Sequence, residues 1–325
     1  MNKPIRILSI DGGGIRGVIP AMILARIESL TGKPIAELFD LIAGTSTGGI
    51  LTLGLTKPGP EGKPQYPAAA MVALYQQEGG RIFHRPALRK ILALGNLAED
   101  KYPPAGIESV LERYFGESRL KDALTDVIIT SYETERRFPF FFKSRNARAR
   151  ADYDFAMKQV ARAASAAPTY FEPLKLDSAL PRDYYSLIDG GVYANNPAMC
   201  GLVEARTMWP DARDFLLASL GTGEQLKPLP YDKVKGWGLA HWAKPALEIV
   251  LDAVSSTVDY QLRQLLPPGE GSCRRYWRFQ ARLDRENDAL DDARPTNVRA
   301  LTLLAERLMR ERCDDLRLLC EDLVN

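Results

Sequence analysis

Apolar runs and glycine-rich turns follow one another along the first part of the chain. Ile5 to Ile10 is short and rich in Ile and Leu, which predicts a buried strand, and the turn Asp11 to Gly17 follows it. Residues 18–30 then place apolar side chains at helical spacing. Phe39 to Ala43 predicts a second strand, and the turn Gly44 to Gly48 leads into a second apolar helix. Repeated strand–turn–helix units predict an α/β fold with a mostly parallel central sheet and helices on both faces.

The rest of the chain predicts further strands and then helices. Short apolar runs predict strands at 127–130, 138–143, 185–188 and 215–220, and helical stripes cover 246–265, 298–308 and 313–323. Residues 56–105 are rich in Pro and Gly, with a short helix expected near 68–77. We interpret them as an insertion that covers a site as an apolar channel or lid. We expect one domain over 1–325, with its motifs in 5–225 and a helical part over 226–325.

Composition and charge exclude several classes of protein. Of the 325 residues, 46% are hydrophobic and 26% charged, which is typical of a globular protein. The net charge of +2 is too small for a dedicated binder of nucleic-acid polymers. The four cysteines form no CxxC pair, so we expect no metal site and a reducing, cytoplasmic location. The first ten residues do not resemble a signal peptide, and the longest apolar run, Leu41 to Leu55, is too short and polar to span a bilayer.

The strongest chemical signal is a GxSxG pattern at Gly44 to Gly48, between a predicted strand and a predicted helix. This context is typical of a nucleophile elbow, in which a strained turn presents the Ser46 hydroxyl above the sheet. Larger side chains two positions away would collide, so glycine is required at both ends. The alternative is a tight turn whose glycines only permit close packing.

The glycine-rich turn at 11–17 is a second signal. Gly12, Gly14 and Gly17 match the GxGxxG pattern of a dinucleotide site, with Glu37 or Asp40 as the ribose-binding acid. That interpretation leaves Ser46 without a role. Adjacent glycines at 12–14 also let consecutive backbone N–H groups converge on one anionic oxygen, as an oxyanion hole requires. Arg16 follows them and could bind a phosphate oxygen. A purely structural turn is the third alternative.

Asp189 is the third signal, because it ends the predicted strand 185–188. Strand ends share one edge of an open parallel sheet, so we expect Asp189 to lie near Ser46. The chain has only two histidines, His84 and His241, and neither follows a predicted strand. A Ser–Asp–His triad would use His241, but we expect both histidines to be surface or core-edge residues. Asp189 then acts directly on Ser46.

These motifs identify a family resemblance. The chain resembles patatin-like phospholipases in four segments, LSIDGGGIRGVIPAMILARIE, FDLIAGTSTGG, ARAASAAPTYF and LIDGGVYANNPA, and more weakly in its C-terminal part. The resemblance implies a three-layer α/β fold with a catalytic dyad of Ser46 and Asp189. It also implies an oxyanion hole from Gly13 and Gly14 with Arg16 nearby, and it requires no metal or other cofactor.

The resemblance also implies a substrate and partners. An acyl ester of a membrane lipid is the expected substrate, reached from the water side of a membrane. Compact bacterial members of the family include phospholipases that cyclic nucleotides activate in anti-phage defence, so a cyclic nucleotide is an expected regulator, although no segment identifies its pocket. A constitutive non-specific esterase and an inert lipid-binding protein are the alternatives. Two basic clusters are candidate contacts for anionic headgroups: Arg136, Arg137, Lys143, Arg145, Arg148 and Arg150, and Arg274, Arg275 and Arg278.

Overall fold

A mixed β-sheet forms the central layer of the fold. The computed structural model describes residues 3–84, 102–178, 183–225, 228–268, 274–284 and 287–325. The strands in these residues are β1 (Ile5–Ile10), β2 (Leu41–Thr45), β3 (Asp126–Glu133), β4 (Phe138–Lys143), β5 (Leu174–Asp177), β6 (Tyr184–Asp189), β7 (Phe215–Leu220), β8 (Glu224–Gln225), β9 (Tyr276–Phe279) and β10 (Arg282–Leu283). The main sheet has the order β5-β6-β3-β2-β1-β7-β9, with β4 also paired to β3, and β8 and β10 form a separate ribbon.

Helices cover both faces of this sheet. They are α1 (Val18–Thr31), α2 (Ile35–Leu38), α3 (Thr47–Thr56), α4 (Ala68–Ile82), α5 (Pro104–Phe115), α6 (Ser144–Ala149), α7 (Met157–Ala164), α8 (Gly191–Ala194), α9 (Ala198–Met208), α10 (Tyr231–Val234), α11 (Leu239–Leu265), α12 (Pro295–Glu311) and α13 (Cys313–Val324). Leu8 and Ile10 of β1 pack into the core with α1, α3 and α4, whereas Ile7 packs on the other face with α9 and α11. The predicted three-layer α/β fold is therefore confirmed. None of the helices in the described ranges combines the length and the apolar composition needed to cross a bilayer.

The centre of the sheet follows the sequence prediction closely, and its edges do not. Strands β1, β2, β3, β7 and β9 run parallel. Strands β1, β2 and β7 are mostly buried, which explains why their sequences are mostly apolar. Strand β5 was not predicted, because only one side of this four-residue edge strand is apolar. Strand β9 lies in the part expected to be helical, and the charged Arg278 interrupts its apolar sequence.

Two strands share one edge of β3. Strand β2 runs parallel to β3 and pairs with it as far as Thr45, opposite Thr130. The next residue of β3, Ser131, pairs with Asp189, the last residue of the antiparallel strand β6. Strand β4 occupies the other edge of β3 along this whole stretch. Strands β2 and β6 therefore lie end to end on one edge, and their C-terminal ends meet.

A buried ion pair joins the end of β1 to β9. The Arg278 guanidinium donates two hydrogen bonds to the Asp11 carboxylate, at 2.6 and 3.1 Å, and others to the hydroxyls of Ser219 and Ser255. Burial raises the pKa of Asp11, and the positive charge of Arg278 opposes that shift. The expectation that Arg278 meets lipid headgroups was wrong, because its side chain is only 6% exposed.

The other basic residues of the two clusters lie nearer the surface, mostly in ion pairs. Arg274 and Arg275 pair with Asp315 and Asp214. In the first cluster Arg136, Lys143, Arg148 and Arg150 pair with Asp183, Glu204, Asp126 and Asp152. Because their charges are matched by neighbouring carboxylates, these clusters offer little free positive charge to a headgroup.

Arg278→Met is predicted to destabilise the fold strongly. The variant leaves the Asp11 carboxyl buried without its partner, which typically costs about 3–5 kcal/mol. Urea denaturation followed by circular dichroism measures the loss. The matched control is Arg274→Met. The side chains of Arg274 and its partner Asp315 are 46% and 24% exposed, so their ion pair should contribute about 1 kcal/mol or less. Equal midpoints for the two variants would contradict the prediction.

Candidate active site

Ser46 occupies a strained turn between β2 and α3. Its backbone has φ 54° and ψ −123°, a positive φ that a residue with a side chain rarely adopts. A Cβ on Gly44 would lie 2.5 Å from the Gly48 carbonyl oxygen, and one on Gly48 would lie 2.1 Å from the Ile10 carbonyl oxygen. Glycine is therefore required on both sides of the serine. The geometry is that of the predicted elbow, with the Ser46 side chain half-buried above the sheet.

Asp189 lies at the end of β6, beside Ser46. Its carboxylate accepts a hydrogen bond from the Gly191 N–H at 2.8 Å, and the Ser46 hydroxyl lies close enough to lower its pKa. Burial has the larger effect and raises the pKa of Asp189 to about 7. A carboxyl with this pKa is a stronger base than an ordinary aspartate, because its ionised form is poorly solvated.

The glycine-rich turn lines the opposite side of the same cleft. Gly12 N–H donates to the Asn195 carbonyl oxygen at 2.9 Å, and Ile15 N–H donates to that of Leu290 at 2.8 Å. Between them, the N–H groups of Gly13 and Gly14 donate to no acceptor in the described residues. A short 3-10 turn begins at Gly14, where φ is +57°. Two adjacent N–H groups thus remain available to an oxygen in the cleft.

Close packing explains why residues 13 and 14 are glycines. A Cβ on Gly13 would lie 2.2 Å from the Thr222 hydroxyl oxygen, and one on Gly14 would lie 2.1 Å from the Leu290 carbonyl oxygen. Both contacts come from segments far along the chain. The position of the two N–H groups is therefore fixed by tertiary packing and not only by the local sequence.

Arg16 is buried directly behind the glycine-rich turn. Its guanidinium donates to the carbonyl oxygens of Gly13 and Asp288, each at 3.4 Å. Burial lowers the pKa of Arg16, and the nearby carboxylates of Asp252, Asp288 and Glu248 oppose that shift. Arg16 lines the cleft and also contacts the turn that carries the two N–H groups. The geometry therefore allows a direct contact with substrate as well as a supporting one.

The cleft above Ser46 is mainly apolar and narrow, with a cavity volume of about 90 Å³. Helix α4 contributes Leu74, Tyr75, Gly79 and Ile82, so the described part of the predicted insertion does line the site. Residues 85–101 of that insertion lie outside the described residues. A cleft with this apolar lining suits an acyl chain better than a polar metabolite.

Several cleft residues were not identified as functional from the sequence. Ile107, Phe171, Leu251 and Leu290 all contribute apolar wall. Leu251 belongs to a helical stripe that predicts core packing, and periodicity alone cannot distinguish a core face from a cleft wall. Leu290 is in a loop, where no periodic signal exists.

The alternative residues do not line the cleft. His84 and His241 are exposed, and the His241 ring stacks on Trp237. Asp40 precedes β2, at the opposite end of that strand from Ser46, and its carboxylate accepts a hydrogen bond from the Arg6 backbone at 2.7 Å. The interpretation of Asp40 as a ribose-binding acid was therefore wrong.

The pKa of Asp189 predicts that the reactivity of Ser46 depends on pH. Only the ionised carboxylate can accept the Ser46 proton, and its fraction falls about tenfold per pH unit below the pKa. The rate of Ser46 labelling by a fluorophosphonate should therefore rise with pH and level off above about pH 7. Mass spectrometry of the labelled peptide measures that rate. Asp189→Asn should label slowly at every pH, and an unchanged wild-type rate from acid to alkaline pH would contradict the assignment of the base.

Comparisons with known proteins agree on one family. A family model described as patatin-like phospholipase matches residues 8–200. Patatin-like protein 4 of Arabidopsis thaliana is 31% identical over an alignment that covers 95% of this chain and 85% of that protein. Patatin-like protein 2 of Arabidopsis thaliana is 34% identical over an alignment that covers 79% of this chain and 71% of that protein. The alignment with the solved structure of VipD from Legionella pneumophila covers 94% of this chain and 67% of the VipD chain, with a TM-score of 0.36 and 12% sequence identity.

The family model covers more than half of the chain, and the plant relatives align along most of it. The same match includes the elbow serine, the glycine-rich turn and Asp189. The chain therefore belongs to the patatin-like phospholipase family and is an enzyme of the lipid acyl hydrolase class.

Proposed function

We propose that this enzyme hydrolyses fatty acyl esters of membrane phospholipids through a dyad of Ser46 and Asp189. The observation that carries the proposal is the position of a strained serine beside a buried carboxylate in an apolar cleft. A serine hydroxyl is a very weak acid and needs a neighbouring base to become a nucleophile. Asp189 is the base within reach, and both histidines lie on the surface.

The first half of the reaction forms an acyl-enzyme. The Ser46 oxygen attacks the ester carbonyl carbon while its proton passes to Asp189. The carbonyl oxygen becomes an oxyanion, which accepts hydrogen bonds from the N–H groups of Gly13 and Gly14. Preorganised donors of this kind each contribute about 3–4 kcal/mol to the stability of such an intermediate. The intermediate then breaks the ester C–O bond, and Asp189 returns the proton to the departing alcohol oxygen.

The second half releases the fatty acid. A water molecule replaces the departed alcohol, and Asp189 accepts one of its protons as the water oxygen attacks the acyl carbon. The oxyanion forms again in front of Gly13 and Gly14. The bond between the acyl carbon and the Ser46 oxygen breaks, and the proton returns to Ser46. The net reaction consumes one water and yields one carboxylic acid and one alcohol.

The walls of the cleft suggest how the substrate is held. The apolar side chains from α4 and α5 would surround the acyl chain, because burying each methylene contributes about 0.8 kcal/mol. Arg16 would bind the phosphate of the headgroup, since its guanidinium lines the same cleft. The acyl chain and the headgroup thus lie on different parts of one surface.

Replacing either member of the dyad is predicted to abolish turnover. Ser46→Ala and Asp189→Asn should each lower phospholipid hydrolysis by at least about 10³-fold, because each removes one half of the proton-transfer pair. Fatty-acid release measures the activity, and circular dichroism checks the fold. His241→Ala is the matched control and should change the rate by less than about tenfold. Near-normal turnover by Asp189→Asn would exclude the dyad, and a large loss in the histidine variant would favour a triad.

Arg16→Ala is predicted to weaken phospholipid hydrolysis more than hydrolysis of a neutral nitrophenyl ester. A charged hydrogen bond to phosphate is worth about 1.5–3 kcal/mol. The loss of kcat/KM for phospholipid should therefore exceed the loss for the neutral ester by about ten- to a hundredfold. Arg81→Ala removes an exposed arginine of α4 and serves as the control. Equal losses on both substrates would mean that Arg16 only supports the glycine-rich turn.

Regulation is a separate proposal. Activation by a cyclic nucleotide, with a role in anti-phage defence, follows only from the family resemblance. Activity measured with and without a panel of cyclic dinucleotides separates that regulated enzyme from a constitutive esterase. Labelling of Ser46 by a serine-directed probe separates both from an inert lipid-binding protein.

A further inference from the structure

An exposed apolar surface lies on residues 229–250, between β8 and the middle of α11. Its large side chains are exposed or half-exposed, with Tyr231 76% and Ile249 43% accessible to solvent. We call it the 229–250 surface and define it by Leu229, Tyr231, Trp237, Trp242, Ile249 and Val250. Soluble proteins rarely expose so many large apolar groups in one segment without a binding role.

Helix α11 places this surface beside the mouth of the cleft. Its C-terminal half packs against the sheet through Val258 and Leu262, and Leu251 forms part of the cleft wall. The twelve residues before Leu251 extend about 18 Å further, at 1.5 Å per residue. Glu248, on that stretch, lies close enough to Arg16 and Tyr170 of the cleft to influence their pKa values. The part of the 229–250 surface that lies on α11 is therefore continuous with one wall of the cleft.

The chemistry of these side chains suits the headgroup layer of a bilayer. The Trp237 ring contacts the Trp242 ring with centroids 5.2 Å apart, and it stacks on His241. Tryptophan and tyrosine favour membrane–water interfaces because each combines an apolar ring with a polar group.

Positive charge accompanies the rings. Lys233 and Lys235 are both exposed on α10 and its end, and Lys235 lies over the Tyr231 ring. Lys235 also pairs with Asp232, which leaves the charge of Lys233 unmatched by that carboxylate. Basic side chains next to interfacial aromatics attract anionic lipids, at about 1 kcal/mol per charge. The surface therefore complements a lipid bilayer better than a neutral protein surface.

We propose that the 229–250 surface docks onto the headgroup layer of a lipid bilayer and presents the cleft mouth to it. The proposal rests on the proposed function, since the lipid substrate is what would bring the protein to a bilayer. On docking, the two tryptophans enter the interface and Lys233 meets an anionic headgroup. A lipid can then pass into the cleft without first crossing water.

The test is vesicle binding by the Trp237→Ala/Trp242→Ala variant. The full-length protein is sedimented with vesicles of phosphatidylcholine containing a minor fraction of phosphatidylglycerol. Removing both indoles should lower the partition coefficient at least about tenfold. Hydrolysis of a water-soluble short-chain nitrophenyl ester should stay unchanged, because neither tryptophan lines the cleft. Tyr231→Ala, which leaves the indole pair intact, should give a smaller loss in the same direction.

Trp209→Ala is the matched control. Trp209 is also half-exposed, but it lies beside Ile5, at the opposite end of the β1 strand from the cleft. Its removal should leave vesicle binding unchanged. In a second measurement, brominated lipids should quench the tryptophan fluorescence of wild-type protein. The tryptophan fluorescence of the Trp237→Phe/Trp242→Phe variant should be quenched far less.

Two results would overturn the inference. One is wild-type vesicle binding by the double alanine variant while it still hydrolyses the soluble ester. The other is a concentration-dependent dimer that the double substitution dissociates, which would make the surface an interface between two copies. If wild-type protein binds vesicles as expected but hydrolyses no ester, the proposed function fails and the docking surface stands.

Discussion

The site depends on one edge of β3 that serves two strands running in opposite directions. Each residue of β3 can pair with one neighbour on that edge, so β6 begins to pair only where β2 stops. The ends of β2 and β6 must therefore meet, and one carries Ser46 while the other carries Asp189. Backbone hydrogen bonds on both sides fix this meeting point, so the sheet itself sets the distance between Ser46 and Asp189.

The sequence identified Ser46 and Asp189 as site residues, but the reason for expecting them to lie close together was partly wrong. The glycines around Ser46 have a steric purpose that follows from the motif alone, and Asp189 ends an apolar run. We expected their proximity because parallel strands end at the same edge, whereas β6 is antiparallel to β3. An apolar run predicts a strand but not its direction. Arg278 resembled a surface cation because its partner, Asp11, lies 267 positions away.

Several features of the site are unfavourable for the fold that contains it. Ser46 has a strained backbone. Within the part of the chain that the structure describes, the Gly13 and Gly14 N–H groups have no protein acceptor and the buried Asp189 has no cationic partner. Because the pKa of Asp189 is raised by folding, its ionisation opposes folding, and stability falls as pH rises from about 4 to about 7. The two apolar cores must offset these costs, which is usual for sites preorganised for reaction.

The residues that position the glycine-rich turn are synthesised long after the turn itself. Ribosomes make the N-terminal residues first, so the strand and elbow that carry Ser46 are complete early in synthesis. Asn195, Thr222 and Leu290, which position the turn, and Arg278, which neutralises Asp11, are translated much later. The glycine-rich turn can therefore reach its final position only after the chain has been synthesised through Leu290, long after the strand and elbow that carry Ser46.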